Sequence, residues 1–294
     1  MSTPPDELMH LFDLETIELD LFRGAQPRHE QPAVERVFGG QVAGQALVAA
    51  ARTVTTGHAP HSLHAYFLRP GDRAIPIVYQ VDRIRDGGSF TTRRVVAVQK
   101  GRAIFNLQAS FHAHEVGFDH QFPMPEVPNP ERLPTLDAWM ASVGRPWPGP
   151  QGIDIRHVED PVWLGRGAAR TDQHVWFRFA GPLGDDPILH TCLAAYASDV
   201  TLLDTALLPY GKTFGDPDLA QASLDHAMWF HRSFRADEWL LYAQHTPSAT
   251  GARGLAQGSM FARDGRLVAT VVQEGLIRHR SLRGRVEEDR AVHA

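Results

Sequence analysis

The sequence contains the same order of predicted elements twice, and this repeat limits the folds that the chain can adopt. Each copy begins with a predicted strand, continues with an apolar helix rich in small residues, and ends with several predicted antiparallel strands. An internal duplication of this size implies two copies of one supersecondary unit. We therefore expect an α+β fold with two antiparallel sheets, each wrapped around a central buried helix.

The first copy has clear signals for both kinds of element. Residues 16–22 alternate apolar and polar side chains as a strand does, and residues 39–51 predict a helix. Because Gly and Ala lie on all sides of that helix, it should be largely buried. The other predicted strands of this copy lie at 62–69, 76–85, 89–99 and 103–114. The last two form a predicted hairpin, and the second of them alternates over ten residues.

The second copy repeats this order. Residues 174–180 predict a strand, and residues 188–208 predict another apolar, Ala-rich helix. The strands predicted after it lie at 223–232, 238–245, 253–262 and 267–278.

The segment between the copies is rich in proline, with nine prolines between residues 123 and 161. Such a segment can form neither a long helix nor a central strand. We interpret residues 116–170 as a connection with one short helix near 136–143. This interpretation gives an N-terminal unit at 1–115 and a C-terminal unit at 171–294.

Composition excludes several classes of function. The formal net charge is −5, so the chain lacks the basic face that nucleic-acid binding requires. Cys192 is the only cysteine, which excludes an intrachain disulfide and a cysteine-based zinc cluster. His58, His61 and His64 are spaced by three, but Pro60 interrupts them, so we expect no metal site there.

Targeting signals are also missing from the sequence. The N-terminus lacks the basic-then-apolar pattern of a secretory signal, and the chain does not end in the peroxisomal Ser-Lys-Leu signal. No window approaches 18 consecutive apolar residues, so we expect no membrane span. These features predict a cytoplasmic protein.

Five short sequence motifs resemble those of a known family. They lie at 38–47 (FGGQVAGQAL), 67–72 (FLRPGD), 86–90 (DGGSF), 223–232 (SLDHAMWFHR) and 272–275 (VQEG). In this order they resemble the acyl-CoA thioesterase II family over nearly the whole chain. The resemblance implies a double hotdog fold and hydrolysis of acyl-CoA to a free fatty acid and CoA. It implies no metal, no cofactor and no covalent acyl-enzyme.

The resemblance also implies a catalytic set. Asp199, Ser223 and Gln273 match the Asp, the Thr or Ser, and the Gln with which the family holds a nucleophilic water. Some relatives have Thr at the middle position, and both residues offer a hydroxyl.

The residues themselves are compatible with these roles and with simpler ones. Asp199 lies in an apolar helical stretch, where burial would raise its pKa toward that of a useful base. The alternatives are a helix-terminal cap or an ion pair with an arginine. Gln273 should point into the core, where its amide needs partners, and the alternative is a core glutamine bonded to backbone. With period 2, Ser223 and His226 point to opposite faces, so we expect Ser223 to orient water and not to act as a nucleophile. The alternative is an ordinary serine at the end of a strand.

Gly39 and Gly40, at the start of the first buried helix, are candidates for the oxyanion site. Helix N-termini present free N–H groups to a developing negative charge. The alternative is that these glycines only permit a tight turn and close packing.

Other enzyme classes lack support in the sequence. It contains no Gly-x-Ser-x-Gly, no Gly-x-Gly-x-x-Gly after a strand and no P-loop. Two rivals to a thioesterase remain. One is a hotdog enoyl-CoA hydratase, whose Asp and His motif we do not find, and the other is a non-catalytic acyl-CoA-binding protein. Because hotdog relatives commonly pair between subunits, we expect a homo-oligomer.

Overall fold

A computed structural model describes residues 4–27, 36–55, 57–144, 152–162, 169–213 and 215–282. Its helices are α1 (Pro4–Phe12), α2 (Gly39–Ala51), α3 (Leu136–Ser142) and α4 (Pro187–Ser198). The strands of the first half are β1 (Glu15–Glu18), β2 (Leu21–Gly24), β3 (His58–Phe67), β4 (Ile77–Asp86), β5 (Phe90–Gln99) and β6 (Arg102–Ala113). Those of the second half are β7 (Ile153–His157), β8 (Asp172–Phe179), β9 (Leu219–Ser223), β10 (Asp225–Phe230), β11 (Leu240–Thr250), β12 (Arg253–Ala262) and β13 (Leu267–His279).

These strands form one antiparallel sheet in the described part of the chain. Its order is β1-β2-β4-β5-β6-β3-β10-β13-β12-β11-β8-β7, and β9 pairs with β13 beside β10. The structure therefore joins the two predicted antiparallel sheets into one across the described strands. Strands β3 and β10 pair edge to edge, with Leu63 opposite Met228, and this pairing joins the two halves. An unpaired strand edge exposes backbone groups, and the pairing at the seam satisfies them.

The two apolar helices, α2 and α4, lie side by side and run antiparallel. A Cβ atom on Gly40 would overlap the carbonyl oxygen of Tyr196, and one on Gly44 would lie 3.1 Å from the carbonyl oxygen of Cys192. The small residues of α2 thus permit a close approach between helices as well as to the sheet. One consequence is that the N-terminus of α2 meets the C-terminus of α4.

Most predicted elements agree with the structure, and four differ. The predicted strand at 223–232 is divided, because β9 ends at Ser223 and β10 begins at Asp225. The predicted strand at 16–22 is a short hairpin, because the chain turns at Asp20 with a φ of 58°. The predicted helix at 188–208 ends at Ser198 and continues, after a turn, as a 3₁₀ helix at Leu203–Tyr210. Strand β7 lies within the predicted connection at 116–170 and pairs with β8.

Part of the proline-rich connection packs on the outer face of the second half. The indole of Trp176 donates to the carbonyl oxygen of Pro128 at 3.0 Å. Gln121 accepts from the amide of Leu267 and donates to the carbonyl oxygen of Gly265. The connection therefore covers an apolar cluster that the sheet would otherwise expose.

The helical stretch Pro187–Tyr210 is long and apolar enough to meet the length and composition criteria for a membrane-spanning helix. Most of its apolar window, 83%, is buried inside the fold. Burial in a protein core accounts for its composition, because a core helix is apolar on all sides.

Candidate active site

Asp199 lies where the two central helices meet. It is the C-cap of α4, and its φ of −88° and ψ of −1° end the regular helix. Its carboxylate faces the first turn of α2, whose Gly40 N–H donates a hydrogen bond to it. Residues from the two halves of the sequence therefore build this site together.

Gln273 binds the Asp199 carboxylate from the sheet. It is fully buried in the middle of β13, and its Nε2 donates to Asp199 Oδ1 at 2.6 Å. Its Oε1 is also buried and has no hydrogen-bond partner within the described ranges. A buried acceptor of this kind is available to a water or to a substrate group.

Ser223 completes the group of predicted residues. It is the last residue of β9, and its Oγ donates to Asp199 Oδ1 at 3.5 Å. This contact is long and weak compared with the one from Gln273. The structure thus brings Asp199, Ser223 and Gln273 together around one carboxylate oxygen.

A bulge at Leu224 changes the expected orientation of His226. Ser223 lies opposite Gly275 and Ala227 lies opposite Val272, so the segment from β9 to β10 has one more residue than the part of β13 that it faces. The extra residue reverses the alternation of faces. Ser223 and His226 consequently both face the helices, and the prediction of opposite faces is wrong.

No hydrogen bond between Ser223 and His226 is found in this segment. His226 Nε2 instead lies 2.8 Å from Ser198 Oγ, and burial lowers the pKa of its imidazole to about 4. The structure therefore gives no support to a Ser223–His226 nucleophile pair.

Burial makes Asp199 a stronger base than an ordinary aspartate. Removal from water raises its pKa from 3.8 to about 6. Hydrogen bonds from Gln273, Gly40 and Ser223 oppose this rise, because they stabilise the charged form. The carboxylate is thus ionised at neutral pH and has a pKa suited to accepting a proton.

The predicted oxyanion donors, Gly39 and Gly40, lie beside the carboxylate. A Cβ atom on Gly39 would lie 2.6 Å from Asp199 Oδ2 and 2.9 Å from a ring carbon of Phe67. The Gly40 N–H is directed at Asp199, so it stabilises the base in this state. An oxyanion role for either glycine stays a prediction.

Sequence reasoning missed a buried polar network behind the turn that follows Asp199. Gln244 Nε2 donates to Thr201 Oγ1 at 2.6 Å. Gln244 Oε1 accepts from Gln173 Nε2 at 2.8 Å and from Thr205 Oγ1 at 2.9 Å. Glutamines at inward positions of two neighbouring strands were the signal for this network in the sequence. The network holds the backbone just beyond Asp199.

One group of side chains has a spacing compatible with a metal, and it was not predicted. Glu159, Asp172 and His174 place one ligand atom each within 4.8 Å of one another. Glu159 already accepts from His174 Nδ1 at 2.7 Å and from the His174 amide at 2.8 Å. These hydrogen bonds account for the close approach of Glu159 and His174 without a metal.

The three spaced histidines do not converge on a common point. His58 contacts Thr91 and Gly88, and His61 contacts Ser110. His64 packs edge-on against Trp229.

Two cavities lie in the second half. One of about 450 Å³ is lined mainly by charged and loop residues that include Arg178, Arg235 and Glu238, and it contains none of the predicted site residues. The other has about 10 Å³ and is lined by apolar residues next to Asp199, including Ala197 and Val200. The second cavity is too small for an acyl chain without movement of its walls.

Two family models match the chain. The model described as acyl-CoA thioesterase matches residues 153–276, and the model described as acyl-CoA thioesterase N-terminal domain matches residues 27–112. The second range includes Gly39 and Gly40, and the first includes Asp199, Ser223 and Gln273. The two models thus cover the site from both halves.

Individual proteins agree with the family models. Acyl-coenzyme A thioesterase 8 of Mus musculus is 43% identical over 91% of this chain and 88% of its own. The crystal structure of acyl-CoA thioesterase II TesB2 from Mycobacterium marinum has a TM-score of 0.78 at 45% identity, covering 93% of this chain and 99% of its own.

A more distant structure agrees in fold alone. A protein of Alicyclobacillus acidocaldarius, described as having a hot dog fold, has a TM-score of 0.78 at 20% identity. It covers 95% of this chain and 99% of its own. The fold is accordingly a hotdog fold with a large antiparallel sheet, and the chain belongs to the acyl-CoA thioesterase II family.

Proposed function

We propose that the protein hydrolyses acyl-CoA to a free fatty acid and CoA by direct attack of an activated water. The observation that carries this proposal is the convergence of Gln273 and Ser223 on the Asp199 carboxylate. A buried carboxylate with a pKa of about 6 is a suitable base, and Gln273 Oε1, which has no hydrogen-bond partner among the described residues, provides a position for the water.

The proposed reaction needs no covalent acyl-enzyme. Asp199 accepts one proton from water while the water oxygen forms a bond to the thioester carbon. Ser223 and Gln273 hold the water and Asp199 so that the water oxygen faces the thioester carbon. The carbon–sulfur bond then breaks, and the CoA thiolate leaves and takes up the proton.

Negative charge on the thioester oxygen would be stabilised at the N-terminus of α2. The first amides of a helix lack intrahelical partners, and the helix dipole favours an anion there. We propose Gly39 and Gly40 as the donors, with Gly39 the better placed because the Gly40 N–H already binds Asp199.

We also propose that the chain is a double hotdog, with units at 1–115 and 171–294 and a connection at 116–170. The sheet order and the two central helices support this division. Strand β7 pairs with β8, so within the connection it serves as the edge strand of the C-terminal unit. A crystal structure whose two halves do not superpose would contradict the division.

The activity is tested by following thiol release from short-, medium- and long-chain acyl-CoAs. Replacing Asp199 by Asn should lower kcat by roughly 10²-fold or more, which is the usual contribution of a general base. Asp225→Asn is the matched control. Asp225 also has a pKa raised by burial, but it lies beyond the bulge, opposite Tyr66, and binds the amide of Glu274.

The rival functions give different results in the same experiment. Binding of acyl-CoA without thiol release would favour a non-catalytic binding protein. Hydration of crotonyl-CoA without hydrolysis would favour an enoyl-CoA hydratase. A fully active, folded Asp199→Asn variant would leave the activity intact and overturn the proposed base.

A homo-oligomer and a cytoplasmic location are proposed from the sequence. Light scattering of the purified protein and fractionation of cells that produce it test these two proposals.

A further inference from the structure

A buried hydrogen bond joins β10 to the last residue of α4. His226 Nε2 and Ser198 Oγ are 2.8 Å apart, and the two residues are only 1% and 0% exposed. Ser198 directly precedes Asp199, so this bond holds the helix at the point where the candidate base begins.

The hydrogen-bond pattern assigns the donor. Ser198 Oγ lies within reach of two other acceptors, the carbonyl oxygen of Ala195 at 2.8 Å and Met228 Sδ at 3.4 Å. With its hydrogen on the Ala195 oxygen, the shorter of these two contacts, Ser198 Oγ accepts from His226, and the imidazole proton is assigned to Nε2. With a pKa of about 4 the ring is neutral at physiological pH.

The other ring nitrogen of His226 indicates that burying the imidazole destabilises the fold. His226 Nδ1 is buried without a hydrogen-bond partner in the part of the chain that the structure describes. An unsatisfied buried polar atom destabilises a fold, so an apolar side chain of similar size would pack there at a lower cost. The imidazole therefore needs an explanation other than packing.

The bulge at Leu224 supplies that explanation. Because of it, one short segment directs two side chains at two consecutive residues of the helix end. Ser223 contacts the carboxylate of Asp199, and His226 contacts the hydroxyl of Ser198. The segment thus fixes both the base and the residue that carries it.

We propose that His226 is a positioning residue that holds the last turn of α4 so that Asp199 faces Gln273 and Ser223. The inference rests on the proposed hydrolysis, in which Asp199 activates water. His226 acts through its contact with Ser198 and the helix backbone. A displacement of the base by about 1 Å can lower a rate by 10²-fold.

Three substitutions at His226 separate positioning from packing. A glutamine side chain places its amide nitrogen near the position of Nε2 and can still donate to Ser198. An asparagine is too short to reach that position, and a leucine has no donor. We expect His226→Gln to retain kcat within about threefold, whereas His226→Asn and His226→Leu lose about tenfold or more at a nearly unchanged KM.

Ser198→Ala provides a second, smaller change that should not prevent folding. It removes the hydroxyl, and with it the contact to His226 and the hydrogen bond to the Ala195 carbonyl oxygen, and should lower kcat to an extent similar to His226→Leu. If the two residues act through one bond, adding His226→Leu to Ser198→Ala should have little further effect. All variants are assayed well below their melting temperatures, and the melting temperatures are measured separately.

The outcomes distinguish the inference from the function on which it rests. No thiol release by the wild-type protein would overturn the proposed hydrolysis. Turnover by the wild type together with full kcat in folded His226→Asn and His226→Leu would overturn the positioning role alone. Equal losses in all three His226 variants, or independent effects of Ser198→Ala and His226→Leu, would also overturn it.

Discussion

Gly39 lies so close to Asp199 that any side chain at this position would meet the carboxylate. A Cβ atom there would lie 2.6 Å from Asp199 Oδ2. Gly39 is in the first turn of a right-handed helix, so its backbone does not require glycine. Since alanine is the better helix former by about 1 kcal/mol, space for the carboxylate explains the glycine.

Replacing Gly39 by Ala should therefore reduce thiol release strongly while the protein remains folded. The added methyl group would displace Asp199 or Phe67, and a displacement near 1 Å costs about 10²-fold in rate. Gly88→Ala is the control, because no atom of the described residues lies within 4 Å of a Cβ atom built there. Wild-type kcat in Gly39→Ala would show that this close approach has no catalytic consequence.

The hydrogen bond from Gln273 should control the pH dependence of activity. This bond stabilises the carboxylate of Asp199 and lowers its pKa, which burial raises to about 6. In Gln273→Leu the pKa of Asp199 should rise further, so the acid limb of kcat/KM should move to higher pH. Ser223→Ala should produce a smaller shift, because the Ser223 contact is 3.5 Å long. The measurement is kcat/KM between pH 4 and 9, and an unmoved or lowered limb in Gln273→Leu would contradict this account.

The sequence predicted the elements more completely than it predicted their junctions. The alternation in 103–114 and the small residues of 39–51 identified β6 and α2 almost to their ends, because each pattern reflects local packing. Asp199, at which the second helix ends, contacts α2 through Gly40 and β13 through Gln273. Contacts between distant residues leave no local period in the sequence.

In the candidate site, too, the residues were predicted better than the contacts between them. The resemblance singled out Asp199, Ser223 and Gln273, and the structure brings them together. The face of His226 was predicted wrongly, because a one-residue bulge is invisible to a period-2 pattern. The hydrogen bond from the Gly40 N–H to Asp199 was also not predicted, because the two helices that form it are distant in sequence and pack antiparallel.

The ionised Asp199 should destabilise the folded protein at neutral pH. Its pKa is about 6 in the folded state and 3.8 in the reference state. The cost is absent below pH 3.8, grows as the pH rises, and is complete above pH 6. A difference of about two pKa units corresponds to roughly 3 kcal/mol.

Asp199→Asn should accordingly become more stable relative to the wild type as the pH rises from 4 to 8. Urea unfolding of both proteins across this range measures the difference. Burial lowers the pKa of His157 and His226 to about 4, so both proteins lose stability as the pH falls from 6.5 toward 4. This loss cancels in the comparison. A stability difference that is independent of pH would contradict the raised pKa.

The network around Gln244 should stabilise both the fold and the turn beyond Asp199. Gln244→Leu would remove the partner that donates to Thr201 Oγ1 and the acceptor of the Thr205 hydroxyl, whereas Gln173 Nε2 keeps the Thr201 carbonyl oxygen and Thr205 Oγ1 as acceptors. A buried polar group left without its partner costs about 1–3 kcal/mol, so the free energy of unfolding should fall by about that amount.

Gln80→Leu, on an exposed position of β4, is the control and should change the free energy of unfolding by less than about 0.5 kcal/mol. Because the network holds the backbone next to the base, kcat in Gln244→Leu should also fall at temperatures where the variant is fully folded. Both quantities are measured on the same preparations, by urea unfolding and by thiol release. Lower stability with an unchanged kcat would limit the network to a structural role, and unchanged stability would show that the buried partners find other hydrogen bonds.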